Sequence, residues 1–378
     1  MKLLFISNII GKKIGSFAIA SIHAAHALGF EYHMAANFNN CTKEQIQSDE
    51  EAHGITIHHI DFVRNPADPR NYKAYLQMID LINREKIDAI HCNTPVGGVI
   101  GRLAGAKCGV KHVIYQAHGF HFYKGAPAIN WSLYYPVEKT LAHYTDALIT
   151  INKEDYDRAR SFRLRNHGHV YYVPGVGIDL SIYEGNNKPR EEKRKELGLR
   201  DTSIIVVSVG ELIKRKNYET AIRAMAAAAG SDIHYLICGK GPLDKKLEEL
   251  AEKLHVREQI HFLGFRSDIA EIMRASDIFL FPTFQEGLPR ALSEAMACGL
   301  PCIVSKVRGN TDLIEDGVNG YLYAPTDAQG MSEGMKRLAW NQELRDEMGR
   351  NNMMKIREFS LEVAQEAICD IYRKELLG

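Results

Sequence analysis

Short runs of β-branched and aromatic residues alternate with amphipathic helical patterns along most of the chain, and this alternation constrains the fold most strongly. In the first part, the predicted strands are KLLFIS, DAIHCN, HVIYQAH, DALITI and VYYVPG. In the second part, they are IIVVSVG, HYLICG, IHFLGF, IFLFP and PCIVS. Such apolar runs are typical of buried parallel strands. The repeated strand–helix–strand pattern therefore predicts an α/β fold with two doubly wound parallel sheets.

The length of the chain and one polar segment predict how these sheets are divided. A chain of 378 residues favours two domains over one core. The stretch GNNKPREEKRK is polar and contains Gly and Pro, so we place the junction near residue 180. We expect one domain at 1–180 and a second at 181–360. A last helix within 361–378 is expected to pack back on the first domain.

The composition excludes several functional classes. Lys plus Arg and Asp plus Glu number 47 each, so no net charge points to nucleic acid. Residues 1–180 hold 19 basic and 16 acidic residues and 13 of the 16 histidines, so this half attracts anions more readily. The start MKLLFISNII is interrupted too early for a signal peptide, and no apolar run is long enough to span a membrane. The scattered cysteines suit reduced thiols, so we expect a cytoplasmic protein.

The loops that follow the strands are the expected ligand sites, because open α/β sheets bind ligands beyond the carboxyl ends of their strands. The first loop, in SNIIGKKIGSFAIA, has Gly11 and Gly15, which allow the backbone close to a ligand. Lys12 and Lys13 add positive charge, and a helix start near Ser16 directs amides toward an anion. The loop lacks the G-x-G-x-x-G pattern, so it does not favour a dinucleotide.

Two loops of the second part also carry binding signals. In GELIKRKN, three cations, Lys214, Arg215 and Lys216, precede a helical pattern, which suits a diphosphate. In CGKGPL, Gly239 and Gly241 form a tight turn after a buried strand and could approach a ligand. A solvated charge run and an ordinary structural turn are the alternatives to these two interpretations.

The stretch FQEGLPRALSEAMACGLP carries two glutamates, Glu286 on a strand-end loop and Glu294 inside the following helix. Glu294 is expected to lie about one and a half turns into the helix, or about 8 Å along its axis at 1.5 Å per residue. This arrangement disfavours a tight acid/base dyad of the glycosidase type. We infer two contacts on one extended ligand, with the free amides of 288–291 holding a phosphate between them. Two surface carboxylates are the alternative.

The stretch EGLPRALSEAMACGLP resembles the E-x7-E signature of retaining glycosyltransferase family 4. Other segments resemble motifs that accompany this signature in the family. SVGELIKRKN, CGKGPL, HFLGFRSDIAEIMRASDIFLFPT and VRGNTDLIEDGVNGYL follow the order of that family through the second domain. HCNTPVGGVIGRLAG, AHGFHFYKGAP and YYPVEKTLAHYTDALITINKEDY resemble the transferases that assemble bacterial capsular or exopolysaccharide repeat units. The resemblance covers essentially the full chain. It implies a GT-B fold, with two Rossmann-like domains facing across a cleft, an acceptor-binding first domain and a donor-binding second domain.

The resemblance also implies roles for individual residues. Glu286 and His118 are implied to be catalytic, with Glu286 orienting the donor sugar and His118 lying near the reacting centre. Glu294 is implied to accept hydrogen bonds from the nucleotide ribose. The other implied donor-binding residues are Gly15, Arg215, Lys216, Gly239, Gly241, Arg266, Gly287, Leu288, Pro289 and Arg290. Arg266 is expected to meet the base through its backbone.

One position departs from the family pattern. The family usually has Arg after the strand-end glycine, where this chain has Glu211. A carboxylate cannot bind a diphosphate, so Arg215 or Lys214 is expected to take over that contact.

The implied activity is transfer of a hexose or N-acetylhexosamine, with retention, from a nucleotide-diphosphate sugar, expected to be a UDP-sugar. The implied acceptor is a glycan or a polyprenyl-diphosphate-linked sugar in bacterial surface polysaccharide synthesis. We expect no metal cofactor, because Lys, Arg and helix amides can neutralise the leaving diphosphate. No covalent nucleophile is implied, and Glu286 and His118 are expected to position and stabilise.

Four alternatives stay open. A metal-dependent transferase would use the letters DYD at 155–157, which we instead predict to lie in the first turn of a helix. A UDP-sugar epimerase of the same fold would use the same donor without an acceptor. A transferase with a small soluble acceptor and a non-catalytic nucleotide-sugar sensor complete the set.

The aromatic segment FHFYKGAPAINWSLYYP, which includes Lys124, has two interpretations. It could belong to the core of the first domain. It could also form a surface that contacts an anionic membrane and meets a lipid-linked acceptor at the cytoplasmic face.

Overall fold

The structure is a computed structural model, and it describes residues 1–10, 14–184, 189–228 and 232–378. The predicted contributions of Gly11, Lys12 and Lys13 lie outside the described residues. The chain divides into two compact domains, the first formed by Met1–Gly177 with Leu361–Gly378 and the second by Ile178–Ser360. The first domain therefore ends at Gly177 rather than at the predicted residue 180.

The first domain contains a parallel sheet with the strand order β3-β2-β1-β4-β5-β6-β7. Its strands are β1 (Lys2–Ile9), β2 (Glu31–Asn37), β3 (Thr56–His59), β4 (Ala89–Asn93), β5 (His112–Ala117), β6 (Ala147–Thr150) and β7 (His169–Tyr172). Its helices before residue 178 are α1 (Ser16–Ala27), α2 (Lys43–His53), α3 (Arg70–Glu85), α4 (Pro95–Cys108), α5 (Ala128–Leu141) and α6 (Lys153–Ala159). Short 3-10 turns cover Ala142–Tyr144 and Arg165–His167.

The second domain contains a parallel sheet with the order β10-β9-β8-β11-β12-β13. Its strands are β8 (Ile204–Val209), β9 (Ile233–Cys238), β10 (Ile260–Gly264), β11 (Ile278–Phe281), β12 (Cys302–Ser305) and β13 (Gly320–Tyr323). Its helices are α7 (Ser181–Glu184), α8 (Arg190–Glu196), α9 (Tyr218–Ala227), α10 (Asp244–Lys253), α11 (Ile269–Ala275), α12 (Arg290–Ala297), α13 (Asn310–Leu313), α14 (Ala328–Ala339) and α15 (Gln342–Ile356). Its 3-10 turns are Lys214–Lys216, Arg257–Gln259 and Arg357–Phe359.

The last helix, α16 (Leu361–Leu376), belongs to the first domain. Its apolar face, which includes Ile368 and Tyr372, is buried in the same core as α1 and β2. The Tyr372 hydroxyl lies 2.6 Å from Nδ1 of His91 on β4. The helix is therefore anchored by burial of its apolar face and by one polar contact within the core.

The predicted fold class is confirmed, because every predicted strand is present and each sheet is parallel throughout. In both sheets, the strand order reverses beside the first strand of the domain, between β1 and β4 and between β8 and β11. Ligands of open α/β sheets bind outside the carboxyl ends of the strands at such a reversal. Asn8 and Asn93 lie there in the first domain. Gly210 and Thr283 lie there in the second.

Candidate active site

Glu286 lies on the loop that follows β11 and is held by three side chains. Its Oε1 atom accepts hydrogen bonds from Lys216 Nζ at 2.7 Å, Thr283 Oγ1 at 2.8 Å and Arg215 Nη1 at 2.9 Å. The residue is only 8% exposed. Its other oxygen, Oε2, accepts no hydrogen bond from the described part of the chain. The carboxylate is therefore fixed in position and has one oxygen left for a ligand.

The local backbone brings the two cations to Glu286. The 3-10 turn Lys214–Lys216 ends at Asn217, which adopts a left-handed conformation with φ 56°. The side-chain Nδ2 of Asn217 then donates to the carbonyl oxygen of Pro282 at 2.7 Å, immediately after β11. The Phe284 amide donates to the Arg215 carbonyl at 2.9 Å. These bonds tie the cationic turn to the loop that carries Glu286.

Lys216 is the more enclosed of the two cations. Burial lowers its pKa below the ordinary lysine value, although the neighbouring Glu286 acts in the opposite direction. Its ammonium also lies 4.7 Å from the centre of the Phe281 ring, a cation–π distance. Together, Lys216 and Arg215 bring two cations to a single carboxylate, so the cluster favours an anionic ligand.

The structure bears on the departure from the family pattern at Glu211. Glu211 and Lys214 are both exposed, and within the described residues the side chain of Lys214 forms no hydrogen bond or ion pair. Arg215 instead reaches both Glu286 and the carbonyl oxygen of Gln285, at 2.9 Å each. Of the two proposed substitutes, Arg215 is the one at the cluster.

Glu294 lies in the second turn of α12 and has a different set of partners. Arg290, one turn earlier, donates through Nε to Glu294 Oε1 at 2.8 Å. Burial and the nearby Glu294 raise the pKa of Tyr183 well above its ordinary range. Within the described residues, Glu294 and Glu286 share no side-chain partner. The two carboxylates therefore lie in separate environments.

The start of α12 lies between these glutamates in the sequence. Pro289 occupies the capping position before the helix, and within the described chain the amides of Gly287, Leu288 and Ala291 donate no hydrogen bond. Free amides at a helix N-terminus attract anions. Gly309 is required beside them, since a Cβ there would lie 2.3 Å from the Gly287 carbonyl oxygen.

Gly239 and Gly241 have a structural explanation, which agrees with the alternative of a structural turn in this loop. A Cβ at Gly239 would lie 1.9 Å from the carbonyl oxygen of Gly210. A Cβ at Gly241 would lie 2.4 Å from the carbonyl oxygen of Leu212. The loop after β9 therefore packs directly on the loop after β8, and this packing alone requires both glycines. Their contact with a donor stays a prediction.

The side chain of Arg266 is engaged within the domain. It forms two hydrogen bonds to Asp268, Nε to Oδ1 at 2.8 Å and Nη2 to Oδ2 at 2.6 Å. Lys193, which is almost fully buried, also reaches Asp268 at 2.7 Å. Arg266 and Lys193 hold the pKa of Asp268 well below its usual range. This network fixes the loop after β10, where the backbone of Arg266 was predicted to meet the base.

In the first domain, His118 follows β5 and is held by Asn93 at the end of β4. His118 Nε2 lies 2.7 Å from Asn93 Oδ1. Burial lowers the pKa of His118 to about 4, so the ring is neutral at physiological pH. The ring also lies on the wall of a cavity of about 540 Å³ within this domain.

Gly15 reaches the same region through Phe17. A Cβ at Gly15 would lie 2.3 Å from the Phe17 ring. That ring in turn makes an edge contact with His118, with ring centres 5.9 Å apart. Gly15 was predicted to allow close approach of a ligand, and the close approach in the structure is that of Phe17.

The aromatic segment is divided between core and surface. Phe120 and Phe122 are buried and stack with ring centres 4.7 Å apart. On α5, however, Ile129, Leu133 and Val137 are exposed at a helical spacing of four residues. Leu133 and Val137 also line the cavity that contains His118. The core interpretation holds for the buried rings, and an exposed aliphatic stripe is left on α5.

The letters DYD fall in the first turn of α6, as predicted. Asp155 is buried, and its Oδ2 accepts from the Phe120 amide at 3.0 Å and from Asn152 at 2.8 Å. Asp155 therefore has a structural role. In the described ranges, no group of three or more His, Cys, Asp or Glu side chains is arranged to hold a metal ion. The helices in those ranges include none long and apolar enough to cross a membrane.

Thr283, Asn93 and Tyr183 are among the residues of these clusters that were not predicted. Thr283 and Asn93 stand at the ends of predicted strands, so their position beyond a carboxyl end was the available signal. Tyr183 lies far from Glu294 in the sequence, and no local pattern could have connected them.

Comparisons with known proteins agree with this fold. The family profile described as "Glycosyl transferases group 1" matches residues 189–354, and the profile "Glycosyl transferase 4-like" matches residues 16–152. EpsD of Bacillus subtilis, which is named as a glycosyltransferase, is 35% identical over 351 residues, covering 91% of this chain and 89% of EpsD. This chain belongs to glycosyltransferase family 4. It is a GT-B glycosyltransferase related to enzymes of polysaccharide biosynthesis.

Two further comparisons are informative. The Escherichia coli UDP-Gal:alpha-D-GlcNAc-diphosphoundecaprenol alpha-1,3-galactosyltransferase is 29% identical over 315 residues, covering 82% of this chain and 81% of that enzyme. The structure of Anabaena HepE in complex with UDP and glucose superposes with a TM-score of 0.80 at 19% identity, covering 99% of this chain and 100% of HepE. The similarity to HepE concerns the fold alone.

Proposed function

We propose that this protein is a retaining hexosyltransferase that uses a UDP-sugar and acts on a glycan or a polyprenyl-diphosphate-linked acceptor. The transferred sugar is a hexose or an N-acetylhexosamine, and the product belongs to a bacterial surface polysaccharide. The observation that carries the proposal is the cluster around Glu286, where one carboxylate meets Lys216 and Arg215 beside the free amides of α12. A nucleotide-diphosphate sugar needs both an acceptor for its hydroxyls and donors for its phosphates.

In this proposal, Glu286 orients the donor sugar. Its Oε1 is already occupied by Arg215, Lys216 and Thr283, so Oε2 is the atom that would accept a sugar hydroxyl. The two cations and the amides of Gly287 and neighbouring residues would bind the diphosphate and stabilise the charge that develops as it leaves. These groups can supply that stabilisation without a metal ion.

Glu294 is proposed to accept hydrogen bonds from the ribose. Arg290 now occupies Glu294 Oε1 at 2.8 Å, so a bound ribose would use the second oxygen or displace that partly exposed arginine. The separate partners of Glu294 and Glu286 support separate roles on one extended ligand.

The proposed chemistry is a displacement on one face of the sugar. The bond between the anomeric carbon and the diphosphate oxygen breaks, and the acceptor oxygen bonds to the same face of that carbon. The departing phosphate takes the acceptor proton, so no side chain becomes covalently attached. A glycosyl adduct trapped on Glu286 would contradict this mechanism.

Two observations support a lipid-linked acceptor at a cytoplasmic membrane face. The E. coli relative is named for an acceptor carried on diphosphoundecaprenol. The stripe Ile129, Leu133 and Val137 on α5 is exposed next to Lys139, which is also exposed. Apolar side chains flanked by cations suit the surface of an anionic bilayer.

A donor screen tests the proposal most directly. UDP-, GDP- and ADP-sugars are incubated with and without a lipid-linked acceptor, in EDTA, and nucleotide release is measured. We expect release that depends on a UDP-sugar and on the acceptor, and an α-linked product from an α-linked donor by NMR. Release of a sugar isomer without acceptor would indicate an epimerase, and equal turnover on a small soluble acceptor would redirect the acceptor assignment. Loss of activity in EDTA alone would contradict metal independence.

Liposome co-sedimentation tests the membrane contact. We expect binding to vesicles with anionic lipid to fall in Leu133→Ser, while Trp340→Ser, an exposed apolar residue of the second domain, stays unchanged. Equal binding of both variants and the unmodified protein would contradict a contact through α5.

A further inference from the structure

The carboxyl end of β4 has an unusual backbone conformation at Thr94. Its φ of 64° and ψ of 156° fall in a region that residues other than glycine rarely adopt. The conformation is held by side chains, because Thr94 Oγ1 donates to Asn8 Oδ1 at 2.7 Å and the Gly97 amide donates to the same oxygen at 2.7 Å. The strain is therefore maintained by the surrounding structure at the strand-order reversal of this sheet.

Asn93, the preceding residue, has a second energetically unfavourable feature, a buried amide nitrogen that is unpaired within the described part of the chain. It is fully buried, and its Oδ1 accepts from His118 Nε2 at 2.7 Å. Its Nδ2, however, is buried and has no hydrogen-bond partner in the described residues. Asn93 and Thr94 thus each have an energetically unfavourable feature, and they lie at the strand end that contacts His118. Such features concentrate where a protein fixes groups for function.

The contact with Asn93 determines which nitrogen of His118 carries the proton. An amide oxygen can only accept, so His118 Nε2 must carry the hydrogen in this contact. In a neutral imidazole, Nδ1 then has a free lone pair. Burial keeps the pKa of His118 near 4, and no described residue donates to Nδ1. The titratable groups nearby are His91 on β4, and Tyr115, His121, Tyr134 and Glu138 on the cavity wall.

We propose that Asn93 is a positioning residue that holds His118 in its Nε2–H tautomer, so that Nδ1 accepts a hydrogen bond from a sugar hydroxyl of the reacting complex. The role of Nδ1 rests on the proposed transferase function, whereas the tautomer does not. His118 gains and loses no proton in this role. It orients a hydroxyl, and Thr94 fixes the end of β4 from which Asn93 reaches the ring.

The tautomer can be measured on the free protein. Histidine labelled with ¹⁵N is observed by long-range ¹H–¹⁵N NMR, and the His118 signals are assigned with His118→Gln. We expect the Nε2–H tautomer in the unmodified protein and a loss of that single tautomer in Asn93→Ala. Asn37→Ala is the matched control, because Asn37 also ends a strand of this sheet but contacts Phe62. An Nδ1–H tautomer, or an unchanged one in Asn93→Ala, would overturn the proposal.

The kinetic test uses the isosteric Asn93→Asp, whose folding is checked by its remaining histidine signals. A carboxylate favours the charged ring, so the pKa of His118 should rise. The charged ring has no lone pair on Nδ1, and activity should then fall as the pH decreases through the raised value, whereas the unmodified protein shows no such loss near neutral pH. A pH profile like that of the unmodified protein would contradict the positioning role.

Asn93→Ala adds a split between rate and binding. We expect kcat to fall about tenfold while the KM for the donor changes less than about twofold. If the tautomer is as expected but His118→Gln keeps full turnover, the role given to His118 in the proposed function fails and the structural effect of Asn93 stands. An unchanged kcat in Asn93→Ala would remove its role in the reaction.

Discussion

The two sheets reverse their strand order in the same way, but they place opposite chemistry at the reversal. In the first domain, the neutral side chains Asn93 and His118 meet at 2.7 Å. In the second domain, the charged side chains Arg215, Lys216 and Glu286 meet at 2.7–2.9 Å. A neutral pair suits sugar hydroxyls, which carry no charge. A cluster with surplus positive charge suits phosphates. One fold position thus presents two kinds of chemistry through its side chains.

The reversals also differ in how closely the backbone packs. In the second domain, Gly239 lies against the backbone of Gly210, where a Cβ would come within 1.9 Å of a carbonyl oxygen. In the first domain, a Cβ at Gly97 would meet the side chains of Thr94 at 2.9 Å and Asn8 at 3.1 Å. These side-chain atoms can shift slightly at a cost to their hydrogen bonds, whereas packed backbone cannot. The second reversal is therefore the more rigidly constructed of the two.

The largest expected effect is on turnover in Glu286→Gln. We expect kcat to fall about a hundredfold or more, because the amide cannot replace the carboxylate that is proposed to orient the sugar. UDP affinity should stay the same or increase, since Lys216 and Arg215 lose the negative charge they now share. Single-turnover kinetics and UDP titration calorimetry measure the two quantities.

Glu294→Gln is the matched variant within the same motif. We expect UDP to bind about tenfold more weakly, because the proposed charge-assisted hydrogen bond to the ribose would be weakened, with a smaller change in kcat. Equal effects of Glu294→Gln and Glu286→Gln on both quantities would contradict separate roles for the two carboxylates.

The backbone contrast predicts a difference in stability. Gly239→Ala should lower the free energy of unfolding by about 1–3 kcal/mol, because the loops after β8 and β9 must separate. Gly97→Ala should cost less, since neighbouring side chains can adjust and alanine favours the first turn of α4. Scanning calorimetry compares the two Tm values. A larger loss in Gly97→Ala would show that the packing contrast is wrong.

The charge contrast is tested with two neighbouring lysines. Lys216→Met should weaken UDP binding about tenfold and reduce its salt dependence, because an enclosed cation at the proposed diphosphate site is lost. Lys214→Met is the control, as Lys214 lies in the same 3-10 turn but is exposed. If both variants weaken binding equally, general surface charge rather than the Glu286 cluster attracts the nucleotide.

Most of the fold could be predicted because buried parallel strands appear in the sequence as runs of apolar residues. The strands that were not predicted are the less apolar ones. β2 contains His33 and β3 contains His58, and these rings contact each other at 2.9 Å between neighbouring strands. β13, with the sequence GYLY, begins with a glycine, Gly320, and contains one aliphatic residue. Polar residues, or a lack of aliphatic ones, hide the apolar run that identifies a buried strand.

The site was predictable only in part. The sequence places Glu286 and Lys216 at strand ends, but their contact joins residues that are 70 positions apart. No local spacing reports such a contact. Glycines in a loop are also ambiguous as a sign of ligand binding. A nearby ligand and a nearby backbone segment both need the space that a Cβ would occupy. Gly239 meets the second condition in the structure.

The edge strands offer a smaller comparison, between Asp61 after β3 and Asp268 after β10. The Asp61 carboxylate forms an ion pair with Lys73 at 2.7 Å, and both side chains are at least partly exposed. Asp268 is held by Arg266 and by the buried Lys193. We expect Asp268→Asn to lower the free energy of unfolding more than Asp61→Asn, because it leaves a buried cation with one partner fewer.

Asp61→Asn is expected to have the smallest effect, and its dependence on pH has a definite sign. The Lys73 ammonium and His59 lower the pKa of Asp61 to about 2. A carboxyl group whose pKa is lowered on folding stabilises the folded protein at pH values above its pKa in the unfolded chain, near 4. This stabilisation is lost as the pH falls toward 2. At pH 7, the variant should be less stable by under about 1 kcal/mol, and urea unfolding at pH 3 should show a smaller difference. Asp80→Asn, in an exposed pair with Arg84, should change neither value. A difference that is as large at pH 3 as at pH 7 would contradict the ionic origin of the stabilisation.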